Sequence, residues 1–291
     1  MNALSMKQTK MKRQTQPNYS RHLSYIALYI VLTVGAVIML LPLLWMTSAA
    51  FKPLSEVMQI PPTWIPQQPT LDNFREVFRQ FPFLRYYLNS LIVVAFVIFG
   101  VLFTSATAGY VFAKFNFPGK TILFYLILAS LMIPFQVRMV PLYRLAVSLG
   151  FSNTLTGVIF PWLFEAVGVF LLRQFISSIP TDLLESARID GASEPRIFFQ
   201  MILPNCKQAL SALAIFVFSW NWEEFLWPLI ISSSEASRTI PVGLQSFAEQ
   251  YGSNIHWQMA GATIAIFPLL VVFIFLQKQF IEGITMTGLK S

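Results

Sequence analysis

Glu185-Ser-Ala-Arg-Ile-Asp-Gly-Ala-Ser193, with Ile202-Leu-Pro204 close behind it, is a short polar stretch between two apolar runs of membrane-spanning length. Pro180 suits the first turn of a helix, where its missing N–H costs nothing. Asp182 and Glu185 fall near the positive start of that helix, which is predicted to run to about Ile189. Gly191 then supplies the left-handed conformation that ends a helix cheaply. Ser193 is placed to cap a second helix, with Glu194 and Pro195 in its first turn. Ala187 and Ala192 are small enough for another surface to approach closely, and Pro204 marks the return to the apolar phase. The pattern is a helix–glycine–helix knob, about residues 177–205, held at a membrane surface.

Composition agrees with a membrane setting. The chain has 291 residues, of which 55% are hydrophobic and 11% charged. Its mean hydropathy is +0.61. Soluble domains carry roughly 25% charged residues. Six segments are apolar over about 20 residues, the length a spanning helix needs: about 24–50, 86–112, 121–144, 154–176, 206–231 and 257–279. The expected fold class is therefore all-α, a polytopic membrane protein of six transmembrane helices with its polar knob between the fourth and fifth. Residues 1–20 read as a disordered tail and 21–291 as one transmembrane domain. Lys7, Lys10, Lys12, Arg13 and Arg21 followed by an apolar run resemble a signal peptide. However, Leu23 to Phe51 carries no charge and far exceeds the roughly 7–15 apolar residues of a signal core. It reads as a retained first span.

Lys and Arg set the orientation. An even number of spans leaves both termini on one side. That side holds Lys7, Lys10, Lys12, Arg13, Arg21, Lys114, Lys120, Arg173, Arg188, Arg196, Lys207, Lys278 and Lys290, thirteen of the 20. Both termini and the knob are thus predicted to be cytoplasmic. The net charge of +7 reports this bias. No basic run is interleaved with aromatics in a polar context, so no nucleic-acid partner is expected. The loop 52–85 on the other side begins irregularly at Pro53, Pro61, Pro62, Pro66 and Pro69. It ends in a short amphipathic helix around Asp72–Phe78 near the interface.

A membrane protein without its own energy source needs such a knob if a soluble engine is to move it. The stretch resembles the Glu-Ala-Ala loop of ATP-binding-cassette importer permeases, with Ser186 in place of the usual Ala. The resemblance extends along the chain. Pro42-Leu-Leu-Trp45 with Ser48, Phe51, Lys52 and Pro53 looks like the first span and its exit. Leu71-Asp-Asn-Phe74 looks like the outer loop. Pro134, Gln136, Pro141-Leu142, Leu149-Gly150 and Asn153-Thr154 follow the third span, and Trp222-Glu-Glu-Phe-Leu-Trp-Pro-Leu229 and Thr239-Ile-Pro-Val-Gly-Leu244 the fifth. These stretches resemble the carbohydrate-uptake, maltose-type branch, except that Glu223 stands where Asn is common.

The resemblance implies that Glu185, Ser186, Ala187, Asp190, Gly191, Ala192, Leu203 and Pro204 dock an ATPase subunit. It further implies a second homologous permease subunit, two ATP-binding subunits that hold ATP and Mg, an extracytoplasmic solute-binding protein, and residence among the lipids of a prokaryotic inner membrane. The chain itself is expected to need no cofactor.

Glu165 lies about ten residues into the fourth span, roughly 15 Å deep. Facing lipid there costs at least about 2.5–3.5 kcal/mol, so it is expected to face protein or water. Trp220, Glu223, Glu224 and Trp227 recur at i, i+3, i+4 and i+7, one helical face. Carboxylates bond hydroxyls and indoles cover the apolar face of a sugar ring, which makes these residues a candidate substrate pathway. Arg138, late in the third span, is weighed with Glu165 as a further pathway candidate. A second reading stays open: an outer aromatic belt, with the carboxylates as buried structural partners to the other subunit.

Metal and covalent chemistry lack the residues they need. One cysteine, Cys206, and two histidines, His22 and His256, form no ligand cluster. Gly119-Lys120-Thr121 imitates the end of a phosphate loop, but Lys114 stands where that loop needs Gly. No metalloprotease, serine-hydrolase or paired-aspartate pattern occurs, so no enzyme is expected. The rival reading, a self-sufficient secondary transporter or channel, calls for inverted repeats, matched broken helices or a pore signature. The sequence reveals none.

Overall fold

The structure, a computed structural model, describes residues 19–250 and 254–288. The predicted disordered tail lies outside the described residues up to position 18. Every regular element among the described residues is helical. Helix α1 (Tyr19–Ala50) leads to a loop with the short α2 (Leu54–Val57) and α3 (Asp72–Gln80). The hairpin partner α4 (Phe83–Lys114) crosses back. Then come α5 (Lys120–Ala129), α6 (Phe135–Ser148), α7 (Leu155–Ile159) and α8 (Ala166–Ser177). The knob contains α9 (Thr181–Ile189), α10 (Glu194–Ile197) and α11 (Leu203–Asn205). Helices α12 (Lys207–Trp222), α13 (Leu226–Ile231), α14 (Ile240–Gln250) and α15 (Ile255–Gly288) complete the chain.

Among the described residues, three helices are long and apolar enough to cross a membrane unbroken: α1, α4 and α15. The third, fourth and fifth spans are interrupted, so the expected six spans are made of three continuous and three bent ones. The third turns by 102° between Met132 and Phe135, the fourth by 46° between Trp162 and Ala166, and the chain by 76° where the knob enters α12 at Cys206. The fifth span breaks a second time at 223–225, before α13. Proline accounts for the pattern, because it removes a helical N–H and its ring clashes with the carbonyl four residues back. Pro134 follows a 3₁₀ turn at Ser130–Met132. Pro161 lies within the 3₁₀ turn Phe160–Trp162, and Pro228 has Glu224 four residues behind it.

The core gathers around α4. Val97, Val101, Leu172, Ile176, Leu213 and Trp227 are buried in one cluster that continues into the knob through Leu184, Ile197 and Ile202. Small residues let α4 and α8 approach closely: a Cβ on Gly168 would lie 2.2 Å from Ser105 Oγ. At the opposite end, Val77, Phe81, Phe83, Phe218, Trp222 and Phe247 form a second cluster. Helix α1 packs along α15 but leaves Tyr29, Val31 and Met39 exposed. Such an apolar surface suits lipid or another membrane subunit.

The loop 51–70 is pinned rather than loose. Glu56 Oε1 accepts the Thr63 hydroxyl and the Gln67 N–H, both at 2.9 Å. Buried Lys52 donates to the Thr63 carbonyl. Asn73 Nδ2 reaches the carbonyls of Ala50 and Lys52, each at 2.8 Å.

Candidate functional site

The knob is built on one turn. Helix α9 ends at Ile189 and Gly191 has φ 83°. The Ala192 N–H donates to the Ala187 carbonyl at 2.9 Å and the Gly191 N–H to the Arg188 carbonyl at 3.0 Å. These are the two bonds of a Schellman turn, so the two small alanines are joined beneath the glycine. Ser193 occupies the capping position of α10, but its side chain makes no capping bond. Leu184 and Ile197 are fully buried against the bundle. Leu183, Glu185, Ser186, Ile189, Asp190 and Gly191 face outward, and Ile189 is 86% exposed. Leu203 and Pro204 lie in α11, after a π-helical turn at Phe198–Ile202.

An ionic lock holds the knob in place. Glu194 Oε1 accepts from Arg188 Nε at 2.6 Å, and its other oxygen accepts the Tyr110 hydroxyl at 2.6 Å. The Arg188 guanidinium and the Tyr110 hydroxyl hold the Glu194 carboxyl below the usual carboxylate range. Sequence reading missed this trio as a unit. Arg188 and Glu194, opposite charges flanking Gly191, gave a local signal. Tyr110, 84 residues from Glu194, gave none.

The second site is a cleft of about 320 Å³ lined by Trp162, Glu165, Trp220, Asn221, Glu223 and Glu224. It lies where the interrupted spans meet. Glu165 is the unwound residue before α8, and Glu223 and Glu224 occupy the gap after α12. Glu165 therefore sits one α8 length, roughly 18 Å, from the knob end of its span, and Glu223 one α12 length, roughly 24 Å. An adjoining cleft of about 250 Å³ shares Trp162 and Glu165 and adds Pro134 and Arg138. Irregular backbone at membrane depth is tolerated where it is buried in protein or lines a water-filled cavity.

The four residues spaced at helical intervals do not form one face. Helix α12 ends at Trp222, so Trp227 belongs to α13 and points elsewhere. It is fully buried, and its Nε1 donates to the Gly157 carbonyl at 2.9 Å. Phe135 and Phe160 each lie 6.0 Å from its ring. Trp227 is a core residue, not part of the cleft. Glu224 lines the cleft but also accepts the Trp227 backbone N–H at 3.1 Å, which starts α13. Trp162 and Asn221, each near a residue singled out from sequence, are lining residues that the sequence reading omitted.

A family model described as "Binding-protein-dependent transport system inner membrane component" matches residues 105–285. The chain belongs to that family. This permease is 38% identical to the arabinooligosaccharides transport system permease protein AraQ of Halalkalibacterium halodurans, over 97% of its length and 100% of the relative's. It is 36% identical to AraQ of Bacillus subtilis, over 91% of its length and 96% of the relative's. It is also 32% identical to the sn-glycerol-3-phosphate transport system permease protein UgpE of Yersinia pestis, over 88% and 94% of the two chains. The fold of a bacterial ABC transporter involved in alginate import superimposes with a TM-score of 0.81 at 20% identity, covering 90% of this permease and 98% of that chain. These relatives are transport permeases, not enzymes. The broken spans by themselves are compatible with a secondary transporter; family membership decides against that rival.

Proposed function

We propose that this permease is one of two homologous membrane subunits of an ATP-driven importer of a saccharide or related polyol. The observation that carries this reading is the knob: a rigid, outward-facing surface seated on Gly191 and locked to α4. Its exposed Leu183 and Ile189 offer apolar anchors, and Asp182, Glu185 and Asp190 ring them with negative charge. A complementary partner presents an apolar groove edged by cations. In this reading two ATP-binding subunits, with ATP and Mg, supply that groove on the cytoplasmic side, where both termini also lie. A solute-binding protein delivers solute from outside. The AraQ relatives support the saccharide assignment.

The cleft with Trp162, Glu165, Trp220 and Glu223 serves as part of the solute pathway, since its indoles and carboxylates suit sugar rings and hydroxyls. Glu224 is divided between that role and the start of α13. Co-purification tests the whole reading. The expected result is a four-subunit assembly whose ATPase activity falls with Glu185→Lys. A lone chain that transports by itself overturns it.

A further inference from the structure

Helix α4 touches the knob at one end and a distant loop at the other. At the knob end, Tyr110 donates to Glu194, which Arg188 also grips. The Tyr110 ring packs on Phe198, 5.7 Å away, and on Phe115, 5.3 Å away. Lys114 Nζ donates to the Ile179 carbonyl at the root of the knob. At the far end, Asn89 Nδ2 donates to the carbonyls of Ala236 (3.0 Å) and Arg238 (2.8 Å). Ser90 Oγ accepts the Ile240 N–H at 2.9 Å. These attachments hold the segment 232–240 that follows the fifth span. The same segment is fastened to the start of the fourth span, because Asn153 Oδ1 accepts from Ser234 and Ser237.

Asn89 and Tyr110 are 21 residues apart on one unbroken helix, roughly 32 Å. Neighbouring spans α8 and α12 are interrupted along this stretch; α4 is not. Its close packing on α8, where Gly168 meets Ser105, leaves little room for the two helices to slide independently. A displacement at one end of such a rod reaches the other end largely undiminished.

From these contacts we infer that Tyr110, Glu194 and Arg188 form a clamp that passes movement of the knob to α4, and that α4 delivers it to the 232–240 segment across the membrane. All three act as positioning residues; none touches solute. The inference rests on the proposal that the knob docks an ATPase. The clamp is exacting because each of its bonds is charge-assisted, the stronger kind. Removal of the Tyr110 hydroxyl takes away one bond and leaves the ring packing intact.

The test uses the full complex in phospholipid vesicles, with Cys206→Ser and a single reporter thiol from Ala236→Cys. Reactivity of that thiol toward a maleimide is measured with and without ATP and Mg, alongside ATP hydrolysis. The expected result is an ATP-dependent change in reactivity that Tyr110→Phe reduces roughly tenfold while hydrolysis continues, the scale set by one hydrogen bond to a charged group. Arg188→Glu is expected to abolish the change, because it sets a second carboxylate against Glu194, and Glu194→Gln, which still accepts the Tyr110 hydroxyl but carries no charge, to reduce it.

An unaltered response in Tyr110→Phe overturns the clamp, as does an unaltered response in Arg188→Glu. A Tyr110→Phe complex that fails to assemble also counts against it, because the hydroxyl would then act through folding. Failure of the docking proposal looks different: Glu185→Lys would leave assembly and ATP hydrolysis untouched.

Discussion

Gly191 has φ 83°, and nothing lies within 4 Å of a Cβ built on it. A substitution there therefore tests backbone strain with no steric clash. Valine in the left-handed region costs on the order of 1–2 kcal/mol or more, enough to shift the two-bond turn that aims α9. Gly191→Val is expected to insert in the membrane at normal level yet lose transport and ATPase stimulation. Gly119, at φ 78° and equally open, supplies the control: Gly119→Val carries similar strain outside the knob and should retain coupling. Equal uptake in both variants would remove the coupling role of the turn.

Glu56 makes a separate prediction at the same scale. The Gln67 N–H, assisted by Thr63, Gln68 and Lys52, holds its carboxyl below the usual carboxylate range. A depressed pKa means its stabilising effect is complete above the unfolded value and fades as pH falls through the lowered one. The loop 53–70 should therefore become more open to proteolysis only in acid below the ordinary carboxylate pKa. Glu56→Gln should show that sensitivity already at neutral pH.

Among the elements, what the sequence disclosed depended on whether the signal was local. Gly191, with a helical pattern before it and Ser193 after it, announced its turn. The three unbroken spans announced themselves by apolar length. Helical periodicity failed at 220–227 because it assumes a continuous helix, and Pro228 denies one. The prolines at 134, 161 and 228 were the available signal for the interruptions, and the meeting of those interruptions at two adjoining clefts depends on contacts between distant segments. The corrected position of Trp227 yields a test. Trp227→Ala empties a buried site bounded by Phe135, Phe160 and the Gly157 carbonyl, at a cost on the order of 3 kcal/mol. Yield of the assembled complex should fall, with solute preference unchanged. Glu223→Gln, in the cleft, should do the reverse. Altered preference from Trp227→Ala at full yield would return that residue to the pathway.

For the whole molecule, the helix ends form a consistent two-sided arrangement. The loop pinned by Glu56, the Asn153 loop and the 232–240 segment lie at one end; Asn153 ties the last two together, and Asn89 and Ser90 fix the 232–240 segment to α4. The knob and the Lys114 end of α4 lie at the other. From the excess of Lys and Arg we propose that the knob end faces the cytoplasm. In a Cys206→Ser background, single cysteines at Gln68 and Ser233, both exposed at the far end, should react with an impermeant thiol reagent in intact cells. A cysteine at Ser193, exposed on the knob, should react only after the membrane is opened. The three sites sit on three different interhelical segments, so one wrong span would invert at least one of them relative to the others. Labelling of Ser193 from outside would place the knob away from ATP and defeat both the orientation and the docking of an ATPase upon it.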